Sequence, residues 1–511
     1  MTAEHNHQQT APPLAAPLWR NFWFIAGAIT AMHIFTLILT PLGIGPDEAQ
    51  YWYWSRDLDV GYYSKPPFIA WGIALTTGLF GNADWAVRLS APFYHLGAAA
   101  FLYFTAKRLY GDRAAFWTGL GWLLMPGVLL SSFIMATDAP LLFFWSAGLF
   151  FMARIIDQPE TKSSPTLFDF AGLGGAIGLG LMSKYAMIYF PLALGLTLLS
   201  KPLREKLLTP PLALTAIVAA ILFAPNIVWN MQNDFQTLSH TADNADWGAQ
   251  LFHPLAFLEF FGGQFLVFGL ISFAAFLYVA SRRATWRLDH QNFLLLVFTL
   301  TPLIIVAGQA LLSRAHANWA AASYPAALLL ITGWLLQKNR ADVVKASAAL
   351  HAVFFVLFTA GVLSPALIDA VGLSGAVRDL RGWTAQTHEI MSFAPGYDAV
   401  LVDDRYLIGE MLYHQKDSEI EIAAIDPNAS IDNHFEAFRH FDPTRMKRVL
   451  FVTTRSDAAH VDYRFRNIKK LGEARAEPGA GESRTYTLYE LSGYYGPPDG
   501  VYPLKNSQRS D

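Results

Sequence analysis

Long apolar runs recur along this chain, and most are of a length that crosses a bilayer. A spanning helix needs about 20 mostly apolar residues. Eleven stretches read as candidates: 22–42, 92–110, 113–133, 138–156, 168–182, 185–200, 210–229, 254–281, 290–312, 317–336 and 344–364. Backbone surrounded by hydrocarbon must satisfy its own hydrogen bonds, so such runs fold as helices. The expected fold class is therefore mainly α, a polytopic membrane helix bundle of about 11 spans. The fifth and sixth runs share a break at Ser183-Lys184 and read either as two spans or as one broken hairpin.

Composition agrees. Hydrophobic residues make up 53% of the 511 and charged ones only 15%, against about 25% in soluble domains. A net charge of -3 offers no field to attract nucleic acid, so membrane lipids are the expected surroundings and nucleic acid is not a partner. Cysteine is absent, which excludes disulfides, thiol nucleophiles and thiolate metal sites. Residues 1–20 are polar and Pro-rich, without the brief apolar core of a cleaved signal peptide, and read as a disordered cytoplasmic tail.

Lysine and arginine orient the bundle. With the N-terminus inside, the inner loops hold fourteen of these cations and the outer loops five, namely Arg56, Lys65, Arg88, Lys184 and Arg314. That choice puts Asp47, Glu48, Lys65, Asp138, Lys184, Arg314 and His316 on one outer side. The first outer loop, 43–91, carries Trp52, Trp54, Tyr62, Tyr63 and Trp71, rings suited to headgroup depth.

Past residue 365 no spanning run appears and charge becomes frequent. AVLVDD (399–404) and RVLFVTT (448–454) read as short buried strands, RYLIGEMLYH (405–414) as a helix, and TYTLYEL (485–491) as an alternating, half-exposed strand. Residues 366–511 thus form a small outer, periplasmic α/β domain behind a transmembrane domain over 21–365. The tail from Tyr495 is rich in Pro and Gly and reads as loose.

Within this frame a few polar residues carry the chemistry. Asp47-Glu48 follows the first run in GPDEAQYW. A carboxylate there can take the proton of a sugar hydroxyl, or Asp47 can cap the helix that follows Pro46. Asp138, in TDAP, suits a helix start as well as it suits catalysis. Lys65 precedes Pro66-Pro67, which extends the backbone before it, so a stiff segment presents its charge to a phosphate or to the interface. Lys184 reads equally as a snorkelling lysine or as a contact for an anionic headgroup. In SRAHANW, Arg314, His316 and Asn318 stand at a span start: Arg314 can hold a phosphate bidentately and His316 is placed with it on the donor phosphate, although a lone His there is more often a hydrogen-bonded interface residue. The glycines of GLGGAIGLG (172–180) lie inside an apolar run with no preceding strand, so they read as close helix packing and not as a nucleotide loop.

Taken together, DE, YYSKPP and TDAP resemble the GT-C membrane glycosyltransferases. The resemblance is strongest to the bacterial families related to protein O-mannosyltransferases, lipid A aminoarabinose transferases and rhizobial galacturonosyltransferases. It covers roughly residues 20 to 340. It implies an inverting transferase of the bacterial inner membrane whose site faces the periplasm. The donor it implies is one sugar on a polyprenyl phosphate; the acceptor is a lipid or glycan such as lipid A or the lipopolysaccharide core. By motif position Asp47 matches the base, Asp138 a second acid, Lys65 the lysine on the donor phosphate and Lys184 a second basic contact. The aminoarabinose transferases have a metal-binding acid before KPP; here that residue is Ser64. No cofactor is therefore expected, with a divalent cation on Glu48 or Asp138 left as an option. The rival expectation, a secondary transporter or lipid flippase, would show broken helices in two related halves with charges at the midplane.

Overall fold

The computed structural model describes residues 21–156, 165–243, 251–286, 290–426 and 431–496. The expected N-terminal tail, 1–20, and the C-terminal tail beyond Gly496 lie outside the described residues. Six helices are long and apolar enough to span a membrane: Phe22–Leu39 (α1), Asp138–Ile156, Leu212–Gln232, Gln291–Leu312, Ala317–Gln337 and Ala341–Leu363. Three bent pairs raise this to nine among the described residues. The eleven expected runs thus overstate the number of straight spans. The run 254–281, read as one span, is two helices meeting at 112°. The bend falls at Gly269, whose φ of 95° is a left-handed conformation, and a Cβ there would lie 2.0 Å from His351 Nε2. The run 113–133 bends by 53° at Met125, held extended by Pro126. The run 185–200 holds Tyr185–Thr197, which turns by 115° into the helix that follows it, Lys201–Leu207.

The GLGGAIGLG stretch lies in the helix Leu167–Ser183 and packs on Leu212–Gln232. A Cβ on Gly174 would sit 2.5 Å from the Thr215 carbonyl, and one on Gly178 2.8 Å from Leu222 Cβ. Close backbone approach is the reason for these glycines.

The first loop is itself helical. It holds α2 (Pro46–Trp54), α3 (Phe68–Phe80) and a short turn, Asp84–Arg88. After Leu363 the chain builds a five-stranded sheet in the order β2-β1-β3-β5-β4. β1 (Ala399–Val402), β2 (Glu421–Ala424) and β3 (Arg448–Thr453) are parallel, with Val400 opposite both Ile422 and Leu450. β4 (Phe465–Gly479) and β5 (Glu482–Tyr494) form an antiparallel hairpin on β3. Alternate residues of β1 enter two cores, Val400 and Val402 on one face, Ala399 and Leu401 on the other. A strand covered on both faces is a short continuous apolar run, which is how β1 and β3 read in sequence.

This domain sits on the first loop. The helix Arg405–His414 packs against α2, and a Cβ on Gly409 would be only 3.5 Å from the Pro46 carbonyl. Tyr413 Oη lies 2.6 Å from Asp84 Oδ1, Tyr63 Oη donates to the Ile431 carbonyl at 2.7 Å, and Gly43 N donates to the Leu380 carbonyl at 2.9 Å.

Gly174→Leu forces a side chain into the Thr215 backbone. We expect it to destabilise the bundle by about 1–3 kcal/mol, the usual cost of overpacking, read as a lower unfolding temperature in detergent.

Candidate active site

The site is built around a carboxylate that does not take part in it. Glu48 is 1% exposed. Its Oε1 accepts from Arg88 Nε at 2.8 Å and from the Met135 amide at 2.8 Å. Its Oε2 accepts from Arg88 Nη2 at 2.6 Å and from the Gly45 amide at 3.0 Å. Every strong acceptor position is filled and the side chain is sealed from solvent. The expectation that Glu48 is catalytic, or a metal ligand, is therefore corrected: it is the brace that joins the first loop to the segment leading into Asp138. The cap of α2 is Gly45, not Asp47, since the helix begins at Pro46 and Glu48 folds back on the Gly45 amide.

Asp47, one residue earlier in the same turn, faces out. Its side chain is 62% exposed, and Oδ1 lies 3.1 Å from Arg405 Nη1. The same Nη1 donates to Gln50 Oε1 at 2.9 Å. Arg405 belongs to the sheet domain, 358 residues along the chain from Asp47.

Asp138 opens its helix, but its carboxylate looks to other elements. Oδ1 is 2.8 Å from Lys184 Nζ, and Oδ2 accepts from Asn318 Nδ2 at 3.3 Å. Lys184 stands at the break after Ser183 with extended backbone (φ -159°, ψ 134°), so the broken helix delivers the cation. The SRAHANW stretch reaches the cluster through Asn318. Arg314 and His316, expected on the donor phosphate, are exposed, and His316 lies edge-on to Trp319.

Lys65 completes the group. Burial lowers its pKa, and the positive charge of Lys184 lowers it further. The carboxylates of Asp47 and Asp138 act in the opposite sense, and Arg405 again lowers it. A single lysine that feels all four places the five charges in one neighbourhood. Tyr51, buried on α2 beside Asp47, has its phenol held far above its usual range by burial and then by that carboxylate, so it stays a neutral hydroxyl. Asp47, Lys65, Asp138 and Lys184 are thus brought together; Asn318 joins them from the SRAHANW stretch, while Arg405 and Gln50 had no motif to announce them.

Over 410 residues the chain is 32% identical to the lipid A galacturonosyltransferase RgtD of Rhizobium johnstonii, covering 80% of this chain and 85% of that one. The chain belongs to the GT-C superfamily of membrane glycosyltransferases. Residues 64–229 of this glycosyltransferase also match a family model described as dolichyl-phosphate-mannose-protein mannosyltransferase. Its fold is shared with ArnT from Cupriavidus metallidurans in the apo state, with a TM-score of 0.64 at 16% identity over 93% of this chain and 98% of that one. The same protein bound to undecaprenyl phosphate gives a TM-score of 0.62 at 17% identity over the same shares. Membership of this family removes the transporter alternative.

Position 64 is a buried serine, and among the described residues no three His, Asp or Glu side chains are placed to hold one metal ion.

Glu48→Ala leaves the Arg88 guanidinium buried without its counter-ion. The expected loss is about 3–5 kcal/mol of stability. Thermal unfolding in detergent checks it: a Glu48→Ala protein as stable as wild type would show that the brace is dispensable.

Proposed function

We propose that this enzyme moves one sugar from a polyprenyl-phosphate donor to a hydroxyl of an envelope glycolipid, with inversion at the anomeric carbon. The observation that carries the reading is the meeting of Asp47, Lys65, Asp138 and Lys184 from separate stretches of chain. A galacturonosyl donor and lipid A are the first pair to assay, because the relative RgtD is named for them. The undecaprenyl phosphate bound to the fold relative supports the lipid carrier. The excess of Lys and Arg on the opposite loops supports a site that opens to the periplasm.

In this mechanism the acceptor hydroxyl gives its proton to the exposed Asp47 carboxylate. Its oxygen attacks the anomeric carbon from the face opposite the phosphate. The bond from that carbon to the phosphate oxygen breaks, and its electron pair leaves with the polyprenyl phosphate. Lys65, with Lys184 beside it, faces the charge that develops there, in a partly dry site where such charges act strongly. Asp138 holds Lys184 in place.

The charges balance at both ends. Lys65, Lys184 and Arg405 against Asp47 and Asp138 leave one positive charge, equal and opposite to the donor phosphodiester. Once Asp47 has taken the proton, the surplus is two, which matches a fully ionised phosphate monoester. No metal ion is needed to balance the charge of the leaving group.

Asp47→Asn keeps the shape of the site and removes the base. Turnover should fall about 10²–10⁴-fold, with thermal stability unchanged. Assayed as transfer of labelled sugar in detergent, a near-normal rate would remove Asp47 from the role of base. In the same assay, turnover should persist after exhaustive chelation with EDTA; a loss restored by added Mg²⁺ or Mn²⁺ would contradict the charge balance above.

A further inference from the structure

The sheet domain is more than an appendage, because it places one guanidinium on the proposed base. Arg405 is the first residue of the helix Arg405–His414, and four contacts fix where it stands. Asp403, just after β1, accepts from Thr453 Oγ1 at 2.7 Å and is bonded to His460 Nε2 at 2.7 Å. Asp404 caps the helix by accepting from the Leu407 amide at 2.7 Å. The Tyr406 ring lies 4.7 Å from the guanidinium carbon. The segment is thus pinned at the carboxyl end of the parallel strands, where α/β sheets hold their functional groups. From there Nη1 alone reaches both Asp47 and Gln50.

We infer that Arg405 is a positioning residue, supplied by the sheet domain, that aims the Asp47 carboxylate while its second oxygen stays open to the acceptor hydroxyl. The inference rests on Asp47 being the base. Physically, one carboxylate oxygen tied to a fixed cation leaves the other with a defined direction. The charged and titratable groups around Asp47 are few. Arg405 comes from the sheet domain, Lys65 from the loop, Tyr51 from α2 itself, and Asp138 and Lys184 from the spans. Of these, Arg405 is the cation in direct contact. Without docking of the sheet domain, therefore, the base is neither oriented nor electrostatically matched.

The test uses the full-length enzyme in detergent, with Arg405→Ala and Arg405→Lys. The Arg405 side chain is 35% exposed and belongs to no apolar core, so the fold should survive, and an unfolding scan checks that. For Arg405→Ala we expect kcat to fall at neutral pH by a part of the roughly 10²–10⁴-fold due to the base, with the donor KM unchanged. Added guanidinium ion should restore part of kcat. Arg405→Lys should keep more of kcat than Arg405→Ala. A wild-type kcat in Arg405→Ala would overturn the inference. So would a rise in donor KM alone, which would make Arg405 a donor contact. A loss of stability with a proportional loss of rate that guanidinium ion does not restore would assign it a structural role and overturn the inference as well. If Asp47→Asn is itself active, the reading beneath the inference fails, and that result is separate from any of these.

Discussion

The buried pair of Glu48 and Arg88 is the interaction on which the site depends. Taking two charges out of water costs several kcal/mol per ion, and only good geometry offsets it. Here each carboxylate oxygen accepts two bonds, and the guanidinium also donates to the Gly43 carbonyl at 2.7 Å. The pair therefore fixes three places at once: the end of the first span, the turn that opens α2, and the Met135 segment that leads to Asp138. With those fixed, the direction of Asp47 follows from the helix itself. Successive residues on a helix do not share a face, so the brace turns inward and its neighbour outward.

That division of labour explains what the sequence could tell. Adjacent acids at a membrane surface pointed to function, and the pair does hold the candidate base, but pattern alone could not separate the brace from the base. The difference lies in Arg88 and the Met135 amide, forty and eighty-seven residues away. Lys65 and Asp138 were legible because proline and a helix start give them local signatures. Lys184 was legible as a break in an apolar run. Arg405 was not, since it reads as one more charge in a soluble domain until the domain is docked. Asn318 was passed over for the more conspicuous Arg314 and His316, because a neutral amide carries no signal of its own. The strands β1 and β3 were visible as buried apolar runs. β2 is only four residues long, and β4 is a charged edge strand whose pairing depends on β5, so neither had a pattern to show.

The helix breaks belong to the same account. A straight span has no free backbone and little reason to carry a cation. Where the apolar runs bend or stop, the structure gains places for polar side chains at the membrane edge. Lys184 occupies one such place. Asp138 lies just beyond the bent pair Asp112–Leu124 and Pro126–Phe133, at the head of a new helix. Counting hydropathy windows treats these breaks as noise in the number of spans, yet they are where the charged groups enter.

The seating of the sheet domain has a consequence for recombination between relatives. Exchanging only the segment after residue 365 would separate Arg405 from Asp47, Tyr413 from Asp84 and the Ile431 carbonyl from Tyr63. The unit of inheritance is thus discontinuous: the loop 43–91 and the distant sheet domain behave as one cassette, threaded through a scaffold of spans that either can leave only in the company of the other.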